Sequence, residues 1–554
     1  MKFRNLLTVG VDNMQWFDNL KKRWRDKVQK TIAGTGLATE YKSVFDLAGV
    51  PAFQQFFDVG VWVWKWLWKG FYKPWHLVKC PTIDNSRAER TLFRLNIPKA
   101  ITAELAGLVW GEQCAVNVSI NGRKEDETDP DPLNAFVQKV LSDNAFWEKQ
   151  QESIEQGCAL GGAAFKTWAE AKHDDKGNEI PESRKIRVGY CAADQFVPIS
   201  WDNARVTEAV FVSRIARGGW YYTRLEWHRW YGETYVISNE LYRSEITKGA
   251  GADSQDILGV RYPLSEIYPY IDPETPVPVE EELFSYWRTP IANNLDDNSP
   301  LGVSVYANAL ETLHALDICY DSFVREFRLG KKRIIVPSRL VRTVVDPVTE
   351  EVRRYFDATD ETYEALAADN PEDLKITDNS VVLRVEEHIA AINAFLSILC
   401  LQIGFSAGTF TFDQHEGLKT ATEVISENSK TYKTIRTIQN QIRPAIEHLV
   451  RNIIDVAILY GMTDENGVSV ESMVAKGYNV QVVFDDSVTQ DRQTNLNEGV
   501  MLVGAGLLSK YTFLTDPKYG QGLTPEDAKA ELDRIAAENK GTINDSLSLF
   551  GMGG

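Results

Sequence analysis

The sequence is poor in the residues that staple, ligate or catalyse. Its six cysteines (Cys80, Cys114, Cys158, Cys191, Cys319 and Cys400) are scattered over 554 residues, and none forms a CxxC pair. That spacing excludes a disulfide framework or a zinc ribbon and reads as buried free thiols in a reducing compartment. The seven histidines (His76, His173, His228, His314, His388, His415 and His448) form no HExxH or HxH pattern, so no metal site is expected. Neither a GxSxG elbow nor a Walker loop is present. Residues 157–162 are glycine-rich, but they follow a helical pattern and no Lys-Ser/Thr pair comes after them. No leader-type apolar stretch opens the chain, and no run reaches the ~18 apolar residues of a membrane span. Basic residues are outnumbered, 60 against 78 acidic, for a net charge of −18 and a pI near 5.0. Surfaces that wrap nucleic acid are usually basic, so such a role is disfavoured. An enzyme would rest on paired carboxylates such as Asp485-Asp486, which an acidic chain of this length produces by chance. No cofactor is expected.

What is present is enough apolar sequence, 44% of residues, to fill two to four domains. Residues 13–31 place Trp16, Leu20, Trp24 and Val28 four apart among lysines and arginines. This reads as a peripheral helix docked by its tryptophan stripe, with a membrane-surface helix as the sharper alternative. Trp62, Trp64, Trp66 and Trp68 fit either a two-faced strand or a helix, and serve as core packing or a subunit contact. Helices are predicted over 96–110 and 133–156, with strands over 115–120 and 163–168. The acidic, proline-bearing run 125–131 reads as a solvated loop. Strands over 185–191, 208–216, 220–230 and 234–242 alternate aromatic and β-branched residues, with hairpin turns at Gly218-Gly219 and 231–233. Their tryptophans and tyrosines are of the type that stacks bases, yet no basic groove accompanies them, so packing is the expected role. A further strand is read over 283–287.

A helix over 303–329 carries Tyr306, Leu310, Leu313, Tyr320, Val324 and Phe327 along one seam and ends in Arg325, Arg328, Lys331, Lys332 and Arg333. Strand-like stretches at 333–345, 352–356 and 381–385, with a helix at 359–368, form a small α/β module. A second helix, 386–403, leads out of it. Gly404 ends that helix, and a loop with Gly408 and Gly417 follows. Thr420 and Glu423 form a capping box, and no breaker except Pro444 appears before Gly461. This helix of about 40 residues would span roughly 60 Å at 1.5 Å per residue, which exceeds what a compact domain needs. Pro444, lacking its N–H, permits a kink.

The order of these parts resembles the portal proteins of tailed double-stranded DNA bacteriophages, particularly the siphovirus type. The local sequences that carry the resemblance are Asn293-Asn294-Leu295-Asp296 and Ser299-Pro300-Leu301-Gly302 before the first helix, and Lys419-Thr420-Ala421-Thr422-Glu423 at the start of the long one. Phe484-Asp485-Asp486-Ser487 and Gly506-Leu507-Leu508-Ser509 add to them toward the C-terminus. The match runs from about Pro74 to Ala537. The combination carries the specificity and no single motif does.

The resemblance implies an α+β, portal-type multidomain subunit. Its parts would be an N-terminal arm (1–40), a mixed α/β wing (41–302 and, with the long spine helix, 420–488), and a two-helix stem (303–329 and 386–403). A small α/β clip (330–385), a tunnel loop (404–419), a helical crown (489–540) and a tail (541–554) would complete it. It further implies a dodecameric ring at one capsid vertex, with double-stranded DNA passing along its axis and no membrane role. Expected partners are the terminase large subunit, a head–tail adaptor, and the major capsid and scaffolding proteins, with assembly in the bacterial cytoplasm. The tunnel-loop residues Thr409, Phe410, Thr411, Asp413, Gln414, His415, Glu416 and Lys419 would face DNA. Glu386 and Glu387 would line the channel, and Lys331, Lys332 and Arg333 would form a basic belt. An acidic wall repels the duplex and lets it slide, which gives the net charge a physical sense. Another ring-forming head–tail structural protein is the alternative.

Overall fold

The computed structural model describes residues 54–81, 87–111, 114–122, 131–174, 179–203, 205–246, 258–330, 333–335, 342–345, 352–355, 377–379, 382–411, 428–484, 492–516, 519, 523 and 527–535. Helix α1 (Gln54–Trp68), the single turn α2 (Lys73–His76), the hairpin β1 (Leu77–Pro81) and β2 (Arg87–Thr91), and α3 (Ile97–Val109) come first. Strand β3 (Ala115–Ile120), α4 (Pro132–Asp143) and α5 (Phe146–Leu160) follow. The strand-rich middle comprises β4 (Gly162–His173), β5 (Glu179–Ala192), β6 (Phe196–Asp202), β7 (Arg205–Arg217), β8 (Trp220–Tyr231) and β9 (Thr234–Glu245). It closes with β10 (Val260–Tyr262), β11 (Glu274–Val277) and β12 (Phe284–Arg288). Helix α6 (Leu310–Leu329) leads to β13 (Arg333–Ile335), β14 (Arg342–Val345), β15 (Val352–Tyr355) and β16 (Thr377–Asn379). Helix α7 (Val385–Ile403), α8 (Ser429–Leu459), α9 (Val470–Val474), β17 (Tyr478–Val483), α10 (Arg492–Gly504) and α11 (Lys510–Thr515) complete the order. The chain is α+β.

Two compact units divide the chain, one built on residues 195–202 and 206–280. It is a sheet in the order β10-β9-β8-β7-β6, with β11 also paired to β9. Val197, Val210, Leu225, Trp227, Tyr242 and Leu258 form its core. Gly218 and Gly219, at φ 59° and 83°, make the two-residue turn between β7 and β8, where side chains would be strained. The aromatic residues serve packing: Arg243 lies 4.4 Å from the Trp220 ring centroid and Arg229 3.9 Å from that of Trp227.

The other unit centres on the antiparallel sheet β12-β4-β5, across which α8 lies. Ile435, Ile438, Ile442, Ile446, Leu449 and Ile453 recur at helical spacing on α8, and none is more than 1% exposed. Burial of each contributes about 2 kcal/mol relative to exposure. Ser285 of β12 donates to the Ala445 carbonyl of α8 at 2.9 Å. Two backbones cross at Gly161 and Gly302: a Cβ on Gly161 would sit 2.1 Å from the Gly302 carbonyl oxygen, and the reverse distance is 2.2 Å. The tryptophan-rich stretch is helical (α1), with Val61, Val63, Trp64 and Leu67 buried.

Several expectations change. The helix expected from residue 303 starts at Leu310, after a 3₁₀ turn over Ala307–Ala309. Residues 303–305 are tied elsewhere: Val305 N–H donates to the Cys158 carbonyl at 3.0 Å, and the Thr289 hydroxyl to that of Val303 at 2.6 Å. The seam on α6 is buried at Leu313, but Phe327 is 44% exposed. The single helix read over 133–156 is two, α4 and α5, because Ala145 is left-handed at φ 48°. Asn144 holds the break, donating to Val140 and Ile186 carbonyls at 2.7 and 2.9 Å and accepting from Val188 N–H at 3.0 Å. The strand expected over 381–385 is absent from 382–385: Val385 begins α7, and the strand that closes the module is β16, paired with β13. The long helix is described over 31 residues, about 46 Å. The expected capping box at Thr420–Glu423, the helices read at 13–31 and 359–368, and the acidic run 125–130 lie outside the described residues. Finally, α7 is long and apolar enough to cross a membrane, although no unbroken apolar run was apparent; Asn393, Ser397 and Gln402 interrupt its apolar residues.

Candidate functional site

Helices α6 and α7 pack against each other, and the chain between them holds the paired strands β13–β16 and β14–β15. At the strand end of the helix pair, the Arg384 guanidinium donates to both Glu326 oxygens at 3.1 and 2.9 Å. Those hydrogen bonds hold the Glu326 carboxyl below the usual carboxylate range. Phe323 sits 5.6 Å from the His388 ring, and Gly330 faces Leu383 so closely that a Cβ would lie 2.4 Å from its Cδ2.

Two carboxylates one helical turn apart, Asp321 buried and Asp317 half-buried, dock α6 onto residues 72–95. Asp321 accepts two bonds from Arg90, each 2.7 Å, and one from Phe93 N–H at 3.1 Å. Burial pushes its carboxyl up, but the Arg90 and Phe93 hydrogen bonds and nearby guanidinium charge outweigh this and hold it below its ordinary value. Asp317 accepts from Leu95 N–H at 3.1 Å and lies 3.0 Å from His76 Nε2. Since Tyr72 N–H donates to His76 Nδ1 at 2.8 Å, the ring carries its proton on Nε2 and donates it to Asp317. His314 stacks on Trp75 with centroids 4.9 Å apart, and burial lowers its pKa.

At the opposite end of α7, Gly404 takes φ 85° and its carbonyl accepts from the Thr434 hydroxyl at 2.7 Å. Phe405 turns inward, fully buried, against Phe410 at 5.3 Å. Ser406 and Thr431 exchange hydrogen bonds: Ser406 N–H to Thr431 Oγ1 at 2.8 Å, and Thr431 N–H to Ser406 Oγ at 3.3 Å. Lys430 Nζ donates to the Leu401 carbonyl at 2.8 Å. The root of the loop is thereby clamped to the first turns of α8.

The expected site residues fall into four sets. Glu386 and Glu387 are exposed in the first turn of α7, where the helix dipole favours them. Thr409, Phe410 and Thr411 belong to the clamped root: the Thr409 hydroxyl donates to the Ser406 carbonyl at 2.8 Å, and Thr411 Oγ1 donates to Asn393 Oδ1 at 3.4 Å. Arg333 opens β13. Lys331, Lys332, Asp413, Gln414, His415, Glu416 and Lys419 lie outside the described residues. Sequence reasoning missed Asp317, Asp321 and the Ser406–Thr431–Thr434 clamp. Two aspartates four apart on one face of α6 were the available signal for the first. Among the described residues no group of three or more His, Cys, Asp or Glu could hold a metal.

The helix pair, the module at its tip and the clamped loop appear in one order, and a family model described as "Phage portal protein, SPP1 Gp6-like" matches residues 70–545. The chain belongs to the phage portal protein family. Membership makes it a structural protein of the phage particle with a portal or connector role, in a family that is not enzymatic. Among solved structures, a chain titled "Neck of empty GTA particle computed with C6 symmetry" is similar at 12% identity and a TM-score of 0.37, over 76% of this portal chain and 89% of that one. No curated protein matches it.

Proposed function

We propose that this portal chain assembles with copies of itself into a ring, dodecameric as the family resemblance implies, whose axis passes double-stranded DNA into and out of the capsid. The observation that carries this reading is α7. Only 28% of its most apolar stretch is buried, with Ile398 47% and Leu401 70% exposed. Leu396, Leu399 and Ile403 are buried on one side, while Ala390, Ala394, Ile398 and Leu401 leave an apolar stripe bare on the other. An apolar stripe of this kind on a protein surface marks an interaction site. A helix clamped at both ends by protein contacts fits a subunit seam better than a bilayer span, because the Glu326–Arg384 pair and the Ser406–Thr431 clamp fix it within a folded unit.

In this reading α6 and α7 are the stem, Glu386 and Glu387 lend the wall negative charge, and residues 404–419 face DNA. Lys331, Lys332 and Arg333 form the basic belt at the junction with the clip. The terminase large subunit and a head–tail adaptor dock on the ring, which joins the major capsid and scaffolding proteins in the bacterial cytoplasm. Electron cryomicroscopy of the purified protein tests the reading. A closed ring with α7 near the axis and residues 404–419 at the opening supports it, while a monomer at all concentrations, or insertion into lipid vesicles, refutes it.

A further inference from the structure

Strands β3 and β17 form a two-stranded sheet whose outer edges are treated differently. The edge of β3 is plugged by α4: Asn134 Oδ1 takes Val118 N–H at 3.0 Å, and Asp131 Oδ2 takes Ile120 N–H at 2.9 Å. The edge of β17 pairs with no strand among the described residues, and only the Val482 carbonyl is met, by Arg443 at 3.0 Å. Its sequence, Tyr-Asn-Val-Gln-Val-Val, contains none of the lysines or prolines that blunt an open edge. Between this edge and α8 runs a groove of about 310 Å³ lined by Arg436, Asn440, Arg443, Gln481, Val482 and Val483 among others. Residues 429–443 of α8 carry Lys430, Lys433, Arg436 and Arg443 and no acid, within a chain of net charge −18. No described carboxylate pairs with Arg436 or Arg443.

An open strand edge beside two arginines that no described carboxylate neutralises calls for an extended acidic segment, adding main-chain hydrogen bonds to β17 and carboxylates to the guanidinium groups. We propose that the occupant is the run Glu125-Asp126-Glu127-Thr128-Asp129 of a second copy of this chain. In an extended strand Glu125, Glu127 and Asp129 share one side, about 13 Å from first to last. Arg436 and Arg443 share one helix face about 10 Å apart, within side-chain reach of that spacing. The run cannot serve its own groove. It is tethered between Gly122 and Asp131, at the Ile120 end of β3, and an eight-residue loop extends out and back by about 14 Å at most. Val482 and Val483 pair with Val116 and Ala115, about 15 Å down the strand and about 10 Å to the side. A head-to-tail contact of this kind is the type from which a ring is built when the subunit rotation closes.

The inference rests on the ring reading above, and the experiment separates the two. Full-length protein, Arg436→Glu, and Arg436→Glu combined with Glu125→Lys, Glu127→Lys and Asp129→Lys are compared by mass photometry and negative-stain imaging across a concentration series. Arg436 makes no described contact, so its substitution leaves the subunit folded, as a thermal melt checks. Expected is a rise of about tenfold or more in the concentration for half-maximal ring formation in Arg436→Glu, returning to within about threefold in the combined variant. Wild-type rings unaffected by Arg436→Glu, or a loss that the charge swap does not rescue, overturn the inference alone. A wild-type protein that never forms rings overturns the ring reading and this inference with it.

Discussion

The docking of α6 through Asp321 allows a worked test. The Asp321 side chain is 5% exposed and that of Arg90 31%, and the pair is joined by two 2.7 Å bonds. Removing one partner of a fully buried pair costs about 3–5 kcal/mol, and the exposure of Arg90 lowers that to about 2–3 kcal/mol here. Asp321→Ala also strips the acceptor from Phe93 N–H, at about 1 kcal/mol. The clean quantity is the coupling energy of the cycle Asp321→Ala, Arg90→Ala and the double variant, which cancels the Phe93 effect. Hydrogen-exchange mass spectrometry of peptides covering 87–95 and 310–329 reads the local opening free energy. A coupling of about 2–3 kcal/mol corresponds to roughly 30- to 150-fold in exchange rate. The pH arm follows from the depressed carboxyl: its stabilisation is present above the unfolded pKa near ~3.9 and is lost as pH falls through the folded value. A coupling below about 0.5 kcal/mol, or an acid sensitivity unchanged in Asp321→Ala, refutes the assignment of this pair as the dock.

Other outcomes follow from the same geometry. Gly404→Ala places a Cβ 2.6 Å from Thr434 Oγ1 at φ 85°, and exchange protection of residues 429–435 should fall by about 1–3 kcal/mol. Thr431→Val removes the acceptor of the Ser406 N–H, leaving that buried donor unpaired, and should lower protection at the same junction by about 1–2 kcal/mol, while leaving peptides of the 206–280 unit unchanged. The lowered pKa of His314 means that the unfolded chain binds the proton first, so stability is lost as pH falls below about 6.5. His314→Phe keeps the ring against Trp75 and should flatten the thermal midpoint against pH between about 6.5 and 5. Leu401→Asp, at a position 70% exposed, should leave the subunit's melting unchanged and abolish rings in mass photometry.

Periodicity sufficed for the apolar stripe of α8, the strands β7 to β9 and the length of α7, since each is a local pattern of side-chain spacing. The turn at Gly218-Gly219 and the end of α7 at Gly404 were legible because only glycine tolerates their backbone angles. The family resemblance rested on the order of such local pieces. What local pattern could not supply was decided by contacts distant in sequence. The start of α6 moved to Leu310 because Val305 N–H donates to the Cys158 carbonyl and the Val303 carbonyl accepts from the Thr289 hydroxyl. The break between α4 and α5 needed Asn144 to meet β5. That Thr409 and Phe410 lie in a root clamped to α8 is a fact held in Thr431 and Thr434, more than twenty residues onward. The spacing of Asp317 and Asp321 was visible, but that their partners are His76 and Arg90 was not, because a carboxylate's partner is set by which surfaces pack together. The sequence alone determined the parts and their order; only the tertiary structure decided which ends are pinned, and which apolar stripe is left exposed and which strand edge unpaired among the described residues.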